Sequence, residues 1–267
     1  MHRLILLALT ALTLNAAEKV GPALPQAHAH NDYEHKRPLL DALSHGFTSV
    51  EADIYLVDGK LLVAHDREDL KPERTLAALY LDPLRELARG KKSIFDNGQS
   101  LTLLIDIKTE AEATYLILRD LLADYRGMLS RFEKDKIETN AVTIILSGNR
   151  PREIVLSEVH RFVAIDGRLT DLAKKNLSVS LIPLISDNWN NHFQWRGTGA
   201  FPESDRAKLK SLVEQTHAEH RRIRFWATPD NETAWAELRA AGVDLINTDN
   251  LPGLAKFLRK PPAAQNP

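Results

Sequence analysis

Several features are missing from this sequence, and each absence excludes a class of protein. The 267 residues include no cysteine, which excludes a disulfide framework and a lipid anchor on a cysteine beside a signal sequence. Lys and Arg number 35 against 36 for Asp and Glu, so there is no broad basic field to hold nucleic acid, and no nucleic-acid partner is expected. No repeat of fixed period is visible. Partner choice must therefore come from a local site.

The sequence also has no apolar run long enough to cross a bilayer, and no transmembrane segment is predicted. The apolar run over residues 4–14 follows Arg3 and precedes Ala16-Ala17. This order is typical of a secretory signal peptide, whereas a buried N-terminal helix is the alternative. A cysteine-free exported protein suits the periplasm. We expect a cleaved signal over residues 1–17, one domain over residues 18–259, and a disordered tail over residues 260–267.

The rest of the chain alternates short apolar runs with helical patterns, such as those over residues 110–125 and 202–220. A strand followed by a helix, eight times, is the pattern of a (β/α)8 TIM-type barrel, which takes about 250 residues. A doubly wound open sheet would give a similar alternation. The predicted strands cover residues 27–30, 48–54, 101–107, 141–146, 161–165, 179–185, 223–227 and 243–247.

In such a barrel, functional side chains gather at the C-terminal ends of the strands. The second strand carries Glu51-Ala52-Asp53. Because side chains alternate along a strand, the two carboxylates point to the same face, and a divalent cation would relieve their repulsion. Oxygen ligands without cysteine favour Mg²⁺ or Ca²⁺ over Zn²⁺. A salt-bridged structural pair is the alternative.

The segment after this strand predicts a β-hairpin extension. Residues 55–63 form two apolar arms around Asp58-Gly59, a strong signal for a two-residue hairpin turn. In that register His65 is carried back beside Asp53, where a histidine is a candidate acid or base. A surface histidine at the start of a loop is the alternative.

The third strand ends in Asp106-Ile107-Lys108. Because this strand neighbours the second in a barrel, Asp106 is a candidate third oxygen ligand. Lys108 lies on the same face and is a candidate phosphate-binding group, although Asp106 and Lys108 would also satisfy each other as an ion pair.

The order of these motifs resembles a known family. His30, Glu51-Ala52-Asp53, Asp58-Gly59 and His65-Asp66 are similar to the His-Arg-Gly, Glu-x-Asp, Asp-Gly and His-Asp signature of the glycerophosphodiester phosphodiesterase and phosphatidylinositol phospholipase C-like superfamily. Residues 225–228 and 241–249 resemble its late Trp-Thr and Gly-Val-Asp-x-Ile-x-Thr-Asp strands. The chain departs from that pattern in two places. It has His-Asn-Asp-Tyr from His30 onward, which together with residues 147–151 resembles one branch of the superfamily. It also has Asp106-Ile107-Lys108 where Glu-x-Lys is usual, and this version resembles the sphingomyelinase D-like branch instead.

The resemblance implies one divalent cation, Mg²⁺ or Ca²⁺, held by Glu51, Asp53 and Asp106. It also implies that His30 and His65 exchange protons with the nucleophile and the leaving group of a phosphodiester. The substrate is a small-molecule or a lipid phosphodiester, attacked either by water or by its own neighbouring hydroxyl. Oligomeric state is left open.

Further candidates have more ordinary alternatives. His28 shares a strand face with His30 and could take its role. Arg150 and Arg168 follow strand ends and are candidates to bind phosphate, although surface pairing explains each of them as well. Trp226 is a candidate wall of the substrate pocket, although core packing would also explain an aromatic side chain there.

Two rival functions remain open. His28-Ala29-His30 also matches the opening of metal-dependent amidohydrolases, which would need further histidines at later strand ends. The sequence places His160 before the fifth strand instead. The other rival is a non-catalytic barrel that binds a phosphorylated ligand, and the presence of both histidines and all three acids argues against it.

Overall fold

The structure is a computed structural model that describes residues 19–133, 136–174 and 177–261. The predicted signal peptide lies outside the described residues, as does the predicted tail beyond Pro261. Within the described ranges, no helix combines the length and the apolar character that a membrane crossing requires.

Eight parallel strands form a barrel, which confirms the predicted fold. The hairpin β5–β6 forms a separate two-stranded sheet, and β3 pairs with β2 beyond the barrel. In chain order the strands are β1 (Leu24–Ala29), β2 (Phe47–Val57), β3 (Lys60–Val63), β4 (Leu101–Ile107), β5 (Arg131–Phe132), β6 (Ile137–Glu138), β7 (Val142–Gly148), β8 (Val163–Gly167), β9 (Leu184–Asn188), β10 (Arg222–Trp226) and β11 (Ile246–Thr248).

Around the barrel the strand order is β10, β9, β8, β7, β4, β2, β1, β11. The remaining edge, between β10 and β11, is closed by a parallel bridge between Arg224 and Leu245. At this edge Leu245 donates its backbone N–H to the carbonyl of Ile223. The open-sheet alternative is therefore wrong.

Helices pack around the barrel, but they do not follow every strand. Between β8 and β9 the described residues contain only a 3-10 turn, Leu169–Asp171, so the eightfold strand-helix repeat is imperfect. The helices are α1 (Leu40–Ser44), α2 (Asp82–Leu87), α3 (Ala111–Ala123), α4 (Arg152–Ser157), α5 (Trp189–His192), α6 (Glu203–Ala218), α7 (Glu232–Ala241) and α8 (Leu251–Arg259).

The alternation of side chains along the strands creates two cores. Along β4, Leu103 and Ile105 face the surrounding helices, whereas Leu104 belongs to a small apolar cluster inside the barrel. Phe132, from β5, is part of that inner cluster. On β2 the outward residues are Val50 and Ala52, so Glu51 and Asp53 point inward and share a face, as predicted.

The β2–β3 hairpin follows the predicted register. Val57 pairs with Lys60, and Tyr55 pairs with Leu62. Asp58 and Gly59 both have positive φ values, 48° and 75°, as a type I′ turn requires. The hairpin therefore returns the chain toward the barrel mouth.

The sixth barrel strand begins later than predicted. Residues 179–183 of the predicted run do not form a strand, because the backbone N–H groups of Leu181 and Ile182 both bond to the carbonyl of Ser178 in a turn. The carbonyl of Ile182 also accepts a hydrogen bond from the buried guanidinium of Arg221. Apolar side chains alone did not distinguish this buried turn from a strand.

Candidate active site

A cavity of about 270 Å³ opens at the C-terminal mouth of the barrel. Seven of the eight predicted site residues line it, and Arg150 is the exception. The lining consists of His30, Asn31, Glu51, Asp53, His65, Asp106, Lys108, Ser147, Gly148, Arg168, Arg224 and Trp226. The structure thus brings together side chains from seven segments of the chain.

Three carboxylates form the acidic part of the cavity. Glu51, Asp53 and Asp106 each offer an oxygen atom, and these atoms lie within 4.8 Å of one another. Asp53 on β2 pairs directly with Asp106 on the neighbouring β4, which explains their closeness. Oδ1 of Asp53 is buried and has no hydrogen-bond partner in the described part of the chain. A buried carboxylate oxygen in this position is suited to a cation.

Gly148 makes room for Asp106. A Cβ atom at position 148 would lie 2.3 Å from Oδ1 of Asp106 and 2.5 Å from the carbonyl oxygen of Ile107. The φ angle of Gly148 is +65°, a left-handed conformation that glycine adopts at little cost. The third acid therefore depends on a glycine at the end of the adjacent strand.

Glu51 is held by two buried partners, Arg224 and His28. Its Oε2 accepts a hydrogen bond from Nη2 of Arg224 at 2.7 Å and lies 3.1 Å from Nε2 of His28. Burial alone would raise the pKa of Glu51, but Arg224 and His28 outweigh it and hold that pKa well below its usual range. Because both contacts use Oε2, neither engages Oε1 of Glu51.

The two histidines of β1 have different surroundings. His28 is fully buried, with Nδ1 2.7 Å from the hydroxyl of Ser49 and Nε2 on Glu51. Burial and the nearby Arg224 lower the pKa of His28 to about 3, so its ring is neutral. His30, in contrast, lines the cavity. The geometry therefore favours His30 over His28 as the histidine that meets a substrate.

His30 is oriented by Asp249, which directly follows the last barrel strand, β11. Its Nδ1 lies 2.9 Å from Oδ1 of Asp249. Burial acts to lower the pKa of His30, but the hydrogen bond to Asp249 and the charge of Glu51 raise it overall. A proton held on Nδ1 leaves Nε2 as the nitrogen available for proton exchange.

His65 stands beside Asp53, as the hairpin register predicts. Its Nδ1 lies 3.6 Å from Oδ2 of Asp53 and 3.1 Å from the hydroxyl of Tyr33. The Tyr33 hydroxyl is also 2.7 Å from Oδ2 of Asp53 and 2.7 Å from Oδ1 of Asn31. Tyr33 therefore connects the first motif of the chain to both the histidine and the acid of the hairpin.

Lys108 bridges two of the carboxylates. Its Nζ lies 2.9 Å from Oδ2 of Asp53 and 3.1 Å from Oδ1 of Asp106. Burial and the charge of Glu51 raise the pKa of Asp53 to about 6, even with this ammonium group beside it. Lys108 thus pairs with both acids, and a divalent cation would add the charge needed to keep all three carboxylates ionised.

The far side of the mouth carries Arg168 and Trp226. The Arg168 guanidinium lies over the indole ring, with 4.7 Å between its central carbon and the ring centroid. Its Nη1 donates to the buried Asp166, 3.0 Å away. Arg150 does not line the cavity. It interacts electrostatically with Arg168 and Asp166, and burial lowers its pKa.

Arg224, Asp249 and Tyr33 contact proposed site residues but were not assigned a role from the sequence. The signal for Arg224 was present, because an arginine inside a buried strand needs an acidic partner. Asp249 stood at a strand end, but its pairing with His30 joins residues 219 positions apart. Nothing in the local sequence indicated that the Tyr33 hydroxyl reaches Asp53.

Asp32 anchors the loop that carries His30 and Tyr33. It is fully buried, and its Oδ2 accepts hydrogen bonds from the backbone N–H of Leu39 at 2.5 Å and from the hydroxyl of Tyr80 at 2.9 Å. Leu39 has a φ of 65°, which is unfavourable for leucine. The bond from Asp32 therefore stabilises a strained residue at the start of α1.

Asp32 should make the protein less stable as the pH rises from weakly acidic to neutral. Burial raises its pKa from 3.8 to about 7. Between these values the unfolded chain releases a proton that the folded protein retains, so the free energy of unfolding falls with rising pH, by at most on the order of 4 kcal/mol. We expect Asp32→Asn to lose this part of the pH dependence, measured by urea unfolding at pH 4.5 and 7.5.

The exposed Asp120→Asn on α3 is the matched control and should unfold with the wild-type pH dependence. Identical pH dependence in wild type and Asp32→Asn would show that Asp32 titrates normally.

Two family models match the chain. The model described as an AIM6-like phosphodiesterase domain matches residues 17–166, which contain the two histidines and the three acids. The model of the glycerophosphoryl diester phosphodiesterase family matches residues 222–252, which contain Arg224, Trp226 and Asp249. Together they cover both sides of the cavity.

Curated relatives match over most of the chain. Altered inheritance of mitochondria protein 6 from Eremothecium gossypii is 30% identical over 280 residues, covering 88% of this chain and 70% of the relative. The protein of the same name from Saccharomyces cerevisiae strain S288c is 30% identical over 84% of this chain and 68% of its own length.

A solved structure supports the fold. The crystal structure of a glycerophosphodiester phosphodiesterase from Agrobacterium tumefaciens matches with a TM-score of 0.50 at 15% identity, covering 88% of this chain and 99% of that one. With the two family models, the barrel and the relatives, these matches make the assignment plain. This chain belongs to the AIM6-like phosphodiesterase domain family, within the glycerophosphodiester phosphodiesterase and phospholipase C-like superfamily.

Proposed function

We propose that this protein is a metal-dependent phosphodiesterase that cleaves a glycerophosphodiester or a phospholipid head group by acid–base catalysis with two histidines. The observation that carries the proposal is the placement of three clustered carboxylates in the same cavity as His30 and His65. Each histidine has its own acidic or phenolic partner, so the two rings are oriented independently.

The acidic cluster fits a hard divalent cation, and we propose Mg²⁺ or Ca²⁺. The ligands are all carboxylate oxygens, which these ions prefer. The unpartnered Oδ1 of Asp53 and the Oε1 of Glu51, which its two bonds leave unused, give the cluster spare oxygen atoms. When bound, such an ion would polarise a nonbridging oxygen of the phosphodiester.

The histidines supply the proton transfers. The Tyr33 hydroxyl donates to Asp53, so its oxygen is able to accept the Nδ1–H of His65 and leave Nε2 basic. Asp249 does the same for His30, because the carboxylate accepts from Nδ1. One ring accepts a proton from the nucleophile, and the other donates a proton to the leaving alcohol. The nucleophile is water or a hydroxyl of the substrate, and Lys108 is the proposed phosphate-binding group.

The ligand assignment predicts that neutral replacements of the acids weaken metal binding. We expect Glu51→Gln, Asp53→Asn and Asp106→Asn each to lower the affinity for Mg²⁺ or Ca²⁺ by at least about tenfold, because each removes a charged oxygen donor. Titration calorimetry on the folded variants measures this directly. Asp120→Asn, whose acid is exposed on α3, is the control and should bind the ion as wild type does. Unchanged affinity in all three ligand variants would contradict the proposed ligand set.

The acid–base assignment predicts that both cavity histidines are needed for turnover. We expect His30→Asn and His65→Asn each to lower kcat by about 10²–10⁴-fold on bis(p-nitrophenyl) phosphate, glycerophosphodiesters, lysophospholipids or sphingomyelin, with metal affinity retained. His217→Asn is the matched control, because His217 also contacts an acid, Asp244, at 2.8 Å, but lies on α6 outside the cavity.

Two outcomes of that experiment correspond to the rival functions. Equal inactivity of wild type and both variants across the panel would favour a non-catalytic barrel that binds a phosphorylated ligand. The amidohydrolase alternative would need both histidines of His28-Ala29-His30 on the metal, but Ser49 and Glu51 already engage both ring nitrogens of His28.

We also propose that the chain is exported to the periplasm, after cleavage of residues 1–17. The support is the order of Arg3, the apolar run and Ala16-Ala17. Fractionation of expressing cells followed by N-terminal sequencing should find a periplasmic protein that begins near Glu18. A full-length chain with an intact Met1, recovered from the cytoplasm, would contradict the proposal.

A further inference from the structure

The arginine and the tryptophan on the far side of the barrel mouth form a preorganised pair. Arg168 follows β8, Trp226 ends β10, and the guanidinium lies 4.7 Å above the indole centroid. In the strand order β10 stands across the barrel from β4, and β8 is separated from β4 by the single strand β7, whereas the acidic cluster is carried by β2 and β4. Both side chains line the cavity, so a substrate whose phosphate is held at the acids extends toward this pair.

The guanidinium has hydrogen-bonding capacity left for a ligand. Nη1 of Arg168 is engaged twice, by Asp166 at 3.0 Å and by the carbonyl of Gly167 at 2.8 Å. Within the described ranges, Nη2 and Nε of Arg168 donate to no protein group. The side chain is 26% exposed, and the indole face beneath it keeps the planar group in one orientation. Such a guanidinium presents a fork that suits a carboxylate or a phosphate.

The charge around this pair is positive. Asp166 is fully buried beneath Arg168, and Arg150 lies close enough to both to interact electrostatically. The buried Nη1 of Arg150 has no hydrogen-bond partner in the described part of the chain. Arg224 also interacts with Asp166, but it is committed to Glu51. Arg150 and Arg168 share Asp166. Asp171, the other acid that acts on Arg150, is already paired with Arg152 and Lys174, so an anion would restore the balance.

The stacking of Arg168 on Trp226 also disfavours a cationic ligand at this point. An aromatic face at the rim of a pocket is the usual surface for a quaternary ammonium group. Here the guanidinium of Arg168 already covers a face of Trp226. A trimethylammonium group at this point would meet a positive charge instead of the π electrons.

We propose that Arg168 is a specificity-determining residue that binds an acidic group on the alcohol part of the substrate. Its guanidinium is stacked on Trp226 and hydrogen-bonded to Asp166. The preferred substrates are then phosphodiesters whose alcohol carries a carboxylate or a second phosphate, and choline-type diesters are disfavoured. This inference rests on the proposed function, because it concerns the selectivity of the same cavity.

The test compares four p-nitrophenyl phosphodiesters that differ only in the second alcohol. The alcohols are 3-hydroxypropanoate, the monophosphate of 1,3-propanediol, 1-propanol and choline, which distinguish a carboxylate, a phosphate, a neutral group and a cation. We expect wild type to favour one or both acidic diesters over 1-propanol, with choline the poorest. In Arg168→Gln, kcat/KM for the acidic diesters should fall by about 10–100-fold, mostly through KM, with little change for 1-propanol.

Two further variants make the test specific. Arg168→Lys keeps the charge but not the planar fork, so it should restore only part of the preference. Lys174→Gln is the control, because Lys174 contacts Asp171 and does not line the cavity, and its substrate preference should match wild type. Calorimetric binding of the four diesters to wild type and Arg168→Gln is measured in parallel, so that the result does not depend on turnover.

The outcomes separate this inference from the proposed function. An equal loss for all four diesters in Arg168→Gln would mean that Arg168 holds the reacting phosphate, and would overturn the inference while leaving the phosphodiesterase intact. Wild type without any preference would overturn it as well. Selective binding of acidic diesters that is lost in Arg168→Gln, without hydrolysis by wild type, would support the subsite and reject water as the nucleophile, because none of the four diesters carries a free hydroxyl.

Discussion

The site depends on one buried carboxylate and its two partners. Glu51 lies inside the barrel, where an unpaired charge would cost several kcal/mol, and it is satisfied by Arg224 on β10 and by His28 on the neighbouring strand β1. These contacts join β1, β2 and β10 through the interior of the barrel. Arg224 is itself fixed by Asn247, whose Oδ1 accepts from Nε at 2.8 Å.

The cavity lies at the edge of the inner apolar cluster. Leu104 of that cluster pairs with Glu51 in the β2–β4 register, and the residues that would contact a substrate lie at the mouth. Cations and acids are interleaved around the mouth, with Lys108 between two carboxylates. A phosphodiester is an anion, and a cavity with only acids would repel it. The arrangement is therefore suited to a metal and a phosphate together, rather than to a metal alone.

Sequence reasoning succeeded wherever a local rule determines geometry. The two-residue period of a strand placed Glu51 and Asp53 on one face, and the Asp58-Gly59 turn carried His65 back to Asp53. The neighbouring strand then supplied Asp106. Each of these steps needed only residues close in sequence or strands adjacent in the barrel.

Other parts of the site depend on packing across the barrel, which no local pattern reveals. Arg224 meets Glu51 across 173 positions of sequence. Arg150 and Arg168 looked equivalent from the sequence, because both follow strand ends, but only Arg168 reaches the cavity. The start of the sixth strand was misplaced because a turn capped by Arg221 is as apolar as a strand.

Arg224 also lies at the edge where β10 and β11 close the barrel. This edge is closed by a single bridge, and Arg224 is one of its two residues. The same side chain crosses the barrel to Glu51 on β2. The Arg224 side chain also links this edge to the central acid, because its Nε donates to Asn247 on β11 and its Nη2 donates to Glu51, so replacing it would disturb both contacts together. Selection for a different activity would have to remodel the rim and leave this seam untouched.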